Sequence, residues 1–530
     1  MKQLATYFVL GGLMSSVLAG CGNSGQTPRQ GTSGSGGGSG AAPSGGGSGG
    51  VPVSGGGDAA GGSSAGMNGA AGSSSGVAGG GGSSGAGGGD GGSAGSGGAK
   101  YEGLYPNGSC SEKTLRTGPP AGKEIFGAEP IDTKFPFSSH WIGPWPANTE
   151  PKLMGQTVMA DLDDDGDLDF AAGQRDVLPG GMYWWERCSD DHWVSHLVGT
   201  GQKSDSSGDA LDVDKDGLID IVTGDSWFKN PGMSRDMPWQ RVSAGHALNA
   251  EDLTVGDVTG DDMAEILYVN NDFKPTWYEV GSAPQAGFTL GGTLTQNQTI
   301  QQGSAWGDLN GDGMNDWLIS AQSWAENVGN GASFTLRTIS AAQGFDGSSA
   351  GTAPLTYVGD IDGDGDNDFA AGSHWLGGND TARLAWFENM DGKGLSFTMH
   401  SLSEDGLYSH GVVLADFDND RDLDLLWARN VGPSFIYDNT DGKGTFVEHK
   451  IVEEFRGHTP RVGDVDCDGD LDMAGGPWGD QGPADHGETN MPPRDYVYLK
   501  NHAVENGAPA VFDKDRKPYE LGWREKYHCR

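Results

Sequence analysis

A nine-residue acidic pattern, D-x-D-x-D-G-x-x-D, recurs seven times in this chain of 530 residues. Its copies begin 45 to 56 residues apart, at Asp161, Asp212, Asp257, Asp308, Asp360, Asp416 and Asp464. Carboxylates at positions 1, 3, 5 and 9, with a Gly at position 6 for a sharp turn, supply the oxygen ligands that a hard cation takes from one short loop. Such crowded carboxylates repel one another unless a counter-ion is present. We therefore expect calcium at these loops, about five to seven ions with a structural role.

The predicted metal ligands are the side chains at positions 1, 3, 5 and 9 of each loop. They are Asp161, Asp163, Asp165 and Asp169; Asp212, Asp214, Asp216 and Asp220; Asp257, Asp261 and Glu265; Asp308, Asn310, Asp312 and Asp316; Asp360, Asp362, Asp364 and Asp368; Asp416, Asp418, Asp420 and Asp424; and Asp464, Asp466, Asp468 and Asp472. Two loops match less well, since Thr259 and Asp262 replace Asp and Gly in one and Arg421 replaces the Gly in another. An EF-hand is excluded, because position 12 never carries its bidentate Glu.

The elements that must hold these loops are short strands. A small or β-branched stretch such as IVTG or FAAG follows the loops, and an aromatic marker comes next in each repeat: WWER at 184, WFKN at 227, WYEV at 277, WAEN at 324, WFEN at 386, IYDN at 436 and YLKN at 498. Alternating segments such as FTMHSL then end several of the repeats. Four strands in each of seven units predict an all-β fold, a seven-bladed β-propeller.

These repeats resemble the FG-GAP and VCBS repeat family, whose propellers include the head of the integrin α-subunit. The resemblance covers roughly residues 120 to 515 and depends on the acidic loop and the aromatic marker. It implies that the acidic loop joins the first two strands of each blade and binds calcium there. The Phe-Gly and Gly-Ala-Pro signatures that name the family are largely missing.

The ends of the chain must meet if the ring is to close. The segment FPFSSHWIG near residue 135 is expected to supply a fourth strand to the last blade, because an open ring would leave two sheet edges with unpaired backbone groups. Cys110, Cys188, Cys467 and Cys529 allow three pairings in an exported protein. We favour Cys110 with Cys529 and Cys188 with Cys467.

The N-terminal region predicts export and attachment. Residues 1–20 have the layout of a signal peptide, and the sequence LAGC ending at Cys21 resembles the lipobox of bacterial lipoproteins, which implies a lipid on Cys21. Residues 21–100 are rich in Gly, Ser and Ala and predict a disordered tether before a folded region at 101–530. We expect an anchor in the bacterial cell envelope, at the outer membrane, facing the periplasm or the exterior.

A ligand surface is predicted on the face opposite the acidic loops. The connection between the acidic loop and the aromatic marker varies from 7 to 26 residues, and insertions in one connection of a repeat map to one face. The candidate ligand-binding residues near this face are Arg175, Glu251, His374, Trp375, Arg383, Arg429, Trp478, His486 and Arg494. Trp with Arg and His suits sugar rings and their carboxylates.

Two functions remain open at this point. The first is a binding or adhesion module for carbohydrate or protein, which needs no catalytic group. The alternative is a polysaccharide lyase, with His410, His458, His374 and Arg383 as the catalytic candidates. A net charge of -40 argues against a nucleic-acid partner, and the membrane is expected to be contacted only through the lipid.

Overall fold

The chain divides into two units, residues 1–96 and 97–530. The computed structural model describes residues 110, 130–144, 154–174, 181–201, 208–232, 237–246, 250–261, 263–270, 275–294, 304–331, 333–340, 356–372, 382–406, 409–429, 432–453, 455, 457–476, 495–512 and 515, all in the second unit. The predicted signal peptide, lipid attachment at Cys21 and tether lie outside these residues. None of the helices in the described residues has the length and hydropathy that crossing a membrane requires.

The described residues form seven antiparallel sheets of four strands each, which confirms the predicted all-β, seven-bladed β-propeller. The first strand, β1 (Ser138–Pro144), precedes the repeats. Blade one holds β2 (Met154–Ala160), β3 (Asp169–Gln174), β4 (Gly181–Ser189) and β5 (His192–Thr200); blade two holds β6 (Asp209–Leu211), β7 (Asp220–Val222), β8 (Ser226–Lys229) and β9 (Gln240–Ser243); blade three holds β10 (Ala250–Gly256), β11 (Glu265–Asn270), β12 (Thr276–Glu279) and β13 (Thr289–Thr293), with a 3-10 helix at Pro284–Ala286.

The remaining four blades repeat this order. Blade four holds β14 (Ala305–Gly307), β15 (Asp316–Ser320), β16 (Ser323–Asn327) and β17 (Phe334–Thr338); blade five holds β18 (Tyr357–Gly359), β19 (Asp368–Gly372), β20 (Ala382–Asn389) and β21 (Phe397–Gly406); blade six holds β22 (Ser409–Ala415), β23 (Asp424–Arg429), β24 (Ser434–Asn439) and β25 (Phe446–Val452); blade seven holds β26 (Arg461–Gly463), β27 (Asp472–Gly475) and β28 (Asp495–Lys500), and is completed by β1.

The first strands of the blades form the inner ring. Contacts join β2 to β6, β6 to β10, β10 to β14, β14 to β18 and β18 to β22, and β26 returns to β2. The second strands are fully buried in most blades, as β3, β15, β19 and β23 show, because both of their faces pack against neighbouring blades. Marker tryptophans such as Trp227 and Trp324 are completely buried between the sheets, where large aromatic side chains contribute most of the packing energy.

Blade seven closes the ring with a strand from the other end of the repeats. The segment β1 pairs with β28, with Ser138 opposite Lys500 and Trp141 opposite Val497. This confirms the role expected for the segment near residue 135. The inner ring is fastened at the same seam, because Arg461 donates through Nε to the Thr157 carbonyl at 3.0 Å.

The preferred disulfide pairing was wrong. Cys110 is bonded to Cys188, across a sequence separation of 78 residues, so neither Cys110–Cys529 nor Cys188–Cys467 forms. Cys467 is also disulfide-bonded, to a residue other than these two. The favoured pairing was expected to fasten the chain ends a second time, in addition to the closing strand, and the ring closes through the pairing of β1 with β28 without it.

Candidate functional site

Each acidic loop is the hairpin connection between the first and second strands of its blade. The first loop, for example, follows β2 and ends where β3 begins at Asp169. The backbone turns at two positions rather than one. Position 6 has a positive φ at Gly166, Gly217, Gly313, Gly365, Arg421 and Gly469, and position 4 has one at Asp164, Lys215, Gly260, Gly311, Gly363, Asn419 and Cys467. These turns direct the loop's N–H groups and carboxylates inward.

The side chain at position 1 organises the turn through backbone N–H groups. In the first loop, Asp161 Oδ1 accepts from Asp165 N at 3.1 Å and its Oδ2 from Gly166 N at 3.2 Å. The loop at Asp212 repeats both bonds, each at 3.0 Å. Since each of these oxygens keeps a second lone pair, the hydrogen bonds fix the carboxylate without preventing coordination of a cation.

The carboxylate at position 9 has a structural role in all seven loops. It accepts the backbone N–H of position 2, at 2.8–3.1 Å, in Leu162, Val213, Val258, Leu309, Ile361, Phe417 and Val465. In six blades its other oxygen accepts the N–H of the last marker residue, at 2.7–2.9 Å, in Arg187, Asn230, Asn327, Asn389, Asn439 and Asn501. This side chain therefore ties the loop to the third strand of the blade.

Burial makes the position 9 carboxylates costly to ionise without a cation. Burial raises the pKa of Asp220 and Asp316 to about 7 and that of Asp368 to about 8, against the effect of the two backbone N–H donors. Burial also raises the pKa of Glu265 to about 7. Neighbouring carboxylates of the same loop add to each of these shifts.

The loops fit a divalent cation. Ligand oxygens converge within 4.8 Å of one another in sets that include Asp161, Asp163 and Asp165; Asp212, Asp214 and Asp216; Asp360, Asp362 and Asp368; and Asp416, Asp418 and Asp424. Within the described residues, Asp214 Oδ1, Asp360 Oδ1 and Asp466 Oδ1 are buried and have no hydrogen-bond donor. Buried carboxylate oxygens without a donor are the atoms that a cation would satisfy.

The two poorly matching loops keep the same geometry. Asp257 Oδ1 accepts from Gly260 N at 2.6 Å, and Glu265 reaches Val258 N with its longer side chain. In the loop at Asp416, Arg421 adopts the positive φ that Gly has elsewhere and donates its backbone N–H to Asp416 at 3.0 Å. Departure from the consensus therefore leaves the hydrogen bonds of positions 1 and 9 in place in both loops, while Asp262 at position 6 of the loop at Asp257 lies outside the described residues.

The last Asn of the aromatic marker is a structural residue that sequence reasoning missed. Asn389 Nδ2 donates to the Leu309 carbonyl in the preceding blade at 2.9 Å and to the Asn367 carbonyl at 3.1 Å, while Gly394 N donates to its Oδ1 at 3.0 Å. Equivalent bonds to the preceding blade come from Asn230, Asn327, Asn439 and Asn501. The repeated Asn in WFKN, WAEN, WFEN, IYDN and YLKN was the available signal.

Of the predicted ligand residues on the opposite face, few have described side chains. Arg429 is only 7% exposed, and its guanidinium lies 4.3 Å from the Trp427 ring and 4.5 Å from the Phe435 ring. His458 is 1% exposed, whereas Arg383 is half-buried in β20. Glu251 and His410 lie in β10 and β22, with side chains that are not described; Arg175, His374, Trp375, Trp478, His486 and Arg494 lie outside the described residues.

Comparison with known proteins finds FG-GAP-like repeats in this chain, at residues 360–427 and 418–474. The matched segments span the acidic loops at Asp360, Asp416 and Asp464. No curated protein matches the chain. Among solved structures, the chain is similar to BBS1N in complex with ARL6DN: in a crystal soaked with lead, the identity is 10%, the coverage 68% of this chain and 98% of the other, and the TM-score 0.39. For the crystal soaked with mercury the identity is 11%, the coverage 70% and 99%, and the TM-score 0.40.

Proposed function

We propose that this propeller of FG-GAP-like repeats is a calcium-stabilised binding or adhesion module, attached to the bacterial cell envelope through a lipid on Cys21. Its ligand is a carbohydrate or a protein, and it docks on the face opposite the acidic loops. The main support for this proposal is that the position 9 carboxylates are buried and accept hydrogen bonds from backbone N–H groups. An ion held by such carboxylates would have a structural role, and the ligand would then bind at another surface.

The choice of calcium follows from the donors. The loops offer carboxylate oxygens with an Asn amide in one of them, together with tight backbone turns, and oxygen-only sets of this kind suit calcium in flexible coordination of six to eight ligands. When bound, the ion would neutralise the convergent carboxylates. The residues of the chain then position those carboxylates, with positions 1 and 9 fixed by backbone donors.

The binding module is better supported than the lyase. A proton-abstracting base must lie within hydrogen-bond reach of its substrate, and His458 is 1% exposed. Arg429, which would neutralise a uronate, is instead enclosed by Trp427 and Phe435. Of the described candidates, only Arg383 is partly accessible. The observations thus favour docking over turnover.

The ligand experiment measures binding and turnover together. The purified chain is incubated in calcium with neutral and acidic polysaccharides, while binding is followed by calorimetry and unsaturated uronate by ultraviolet absorbance. We expect binding without new absorbance, weakened by Trp375→Ala and Trp478→Ala and unchanged by Leu395→Ala, whose side chain is 64% exposed in the turn between β20 and β21. Turnover that disappears in His410→Ala would establish the lyase alternative.

The metal experiment is independent of the ligand. Chelator-treated protein is titrated with calcium chloride by calorimetry, and magnesium chloride serves as the comparison ion. We expect several tight calcium sites and weaker binding of magnesium, which needs a stricter octahedral geometry. An Asp360→Asn, Asp362→Asn double variant should lose about one site. Failure of the wild-type chain to bind calcium would remove the proposed metal role.

A further inference from the structure

The acidic loops are not equivalent, because lysine ammonium groups lie against some of them. Lys229, in the marker of blade two, contacts Asp214 and lies 2.6 Å from Asp216 through Nζ. These carboxylates stand at positions 3 and 5 of the loop at Asp212. A single ammonium group therefore bridges two of the predicted ligands of that loop.

Blade seven repeats the arrangement. Lys500 occupies the same marker position, contacts Asp466 at position 3 and lies 3.8 Å from Asp468 at position 5. Its Nζ also lies 3.7 Å from Asp190 and 3.4 Å from Glu505, and its side chain is 12% exposed. An ammonium that is so enclosed by carboxylates acts as a local counter-ion.

A third loop receives its ammonium from outside the repeat. Lys134, which precedes β1, contacts Asp418 at position 3 of the loop at Asp416, and its Nζ lies 3.9 Å from Asp438. The lysine here comes from a different part of the chain, yet it meets the same loop position as Lys229 and Lys500. Contact with the position 3 carboxylate is thus common to all three.

The other blades carry the opposite charge at the marker position of Lys229 and Lys500. In this position stand Glu186, Glu279, Glu326, Glu388 and Asp438. Three of them pair with a residue of the fourth strand of their blade: Glu186 with His196, Glu326 with Arg337 and Glu388 with His400. An acidic residue at this position favours a bound cation in the loop, whereas an ammonium competes with the cation for the same oxygens. The sign of the charge at one residue of the third strand therefore differs between blades that are otherwise alike.

We propose that the charge placed against each acidic loop, by this marker residue or by Lys134, sets the calcium affinity of the loop, so that the chain has two classes of site. The loops at Asp161, Asp257, Asp308 and Asp360, with Glu at this position, form the tight class. The loops at Asp212 and Asp464, and the loop at Asp416 through Lys134, form the weak class, in which an ammonium of the chain replaces part of the charge of the ion. This inference rests on the proposed calcium role.

The test is calorimetric titration of the chelator-treated chain with calcium. Lys229→Met and Lys500→Met should each move one site from the weak class to the tight class, with an affinity gain of roughly tenfold or more. Lys450→Met is the matched control, because Lys450 is exposed on β25 and pairs with Glu453, which follows that strand, away from position 3 of any acidic loop among the described residues. It should leave both classes unchanged.

The reciprocal variant keeps the inference falsifiable if a lysine variant folds poorly. Glu388→Lys should move the loop at Asp360 into the weak class, with Glu453→Lys as its control for charge reversal at an exposed site. Thermal melting in saturating calcium checks that each variant is folded. Lysine and glutamate variants that titrate like their controls, in a wild-type chain that binds calcium, would overturn this inference alone. Absence of calcium binding in the wild-type chain would overturn the metal role as well.

Discussion

The side chain of Asn389 joins blade five to blade four, and its removal gives the sharpest test of how the ring is held. Its Nδ2 donates to the Leu309 carbonyl at 2.9 Å and to the Asn367 carbonyl at 3.1 Å, and its Oδ1 accepts from Gly394 N at 3.0 Å. The residue is 1% exposed. Asn389→Ala would leave two carbonyls and one N–H without partners in a buried place.

Each buried polar group that loses its partner costs about 1–3 kcal/mol, and partial relaxation reduces the sum. We expect Asn389→Ala to lower the free energy of unfolding by about 4 kcal/mol. For a folded region of roughly 380 residues, an unfolding entropy near 2.1 cal/mol/K per residue converts this into a decrease in Tm of about 5 °C. Asn389→Asp should be at least as damaging, because it keeps the acceptor for Gly394 but replaces the donor with a charge.

The assay is thermal unfolding followed by circular dichroism in saturating calcium, so that loss of metal does not contribute. Asn506→Ala is the matched control, since Asn506 is exposed in the turn after β28 and the change should stay within about 0.5 kcal/mol. If Asn389→Ala melted within about 1 °C of the control, the bond between the blades would not hold the ring as described.

Three further outcomes can be measured on the same protein. Chelation should lower Tm by many degrees, because an ion bound only by the folded state at 1,000 times its Kd adds about 4 kcal/mol per site; a melting curve indifferent to chelator would contradict the metal role. In chelator, the free energy of unfolding should fall as the pH rises from about 5 to about 8. Burial raises the pKa of Asp316 to about 7 and that of Asp368 to about 8. In this pH range the folded chain therefore keeps protons that the same carboxylates release on unfolding. Denaturant titration with and without calcium should show this slope only without the ion. Gly363→Ala should lower the free energy of unfolding by about 1 kcal/mol more than Gly281→Ala does. Both glycines have a positive φ, but only at Gly363 would the new Cβ lie 3.0 Å from the Gly442 carbonyl oxygen. Equal Tm values for the two variants would contradict the predicted clash.

The sequence was sufficient for the features whose chemistry repeats locally. The nine-residue loops contain their own carboxylates and turn residues, and their regular spacing predicted one four-stranded blade for each. The closing strand β1 was also predictable, because an open ring would leave two unpaired sheet edges and the segment near residue 135 has the pattern of a strand outside the repeats.

Features that depend on backbone partners in another blade were not predictable. Asn389 donates to a backbone carbonyl that lies 80 residues earlier in the chain. Since every residue has a backbone carbonyl, the sequence does not identify this acceptor. The left-handed backbone at position 4 was missed for a related reason. Asp164, Lys215 and Asn419 adopt it without being Gly, so only the requirement at position 6 was visible.

The hydrogen bonds at the blade seams connect the acidic loops to the ring. Asn230, Asn327, Asn389, Asn439 and Asn501 each donate to the position 2 residue of the preceding acidic loop. Blades one and three lack this Asn, and a main-chain bond serves instead: Leu168 N donates to the Val465 carbonyl at 3.3 Å, and Phe288 N to the Ala244 carbonyl at 2.8 Å. Because six of these bonds end on a residue of an acidic loop, an ion that fixed one loop would also fix the seam to the next blade. The proposed cation would therefore stabilise two blades rather than one hairpin.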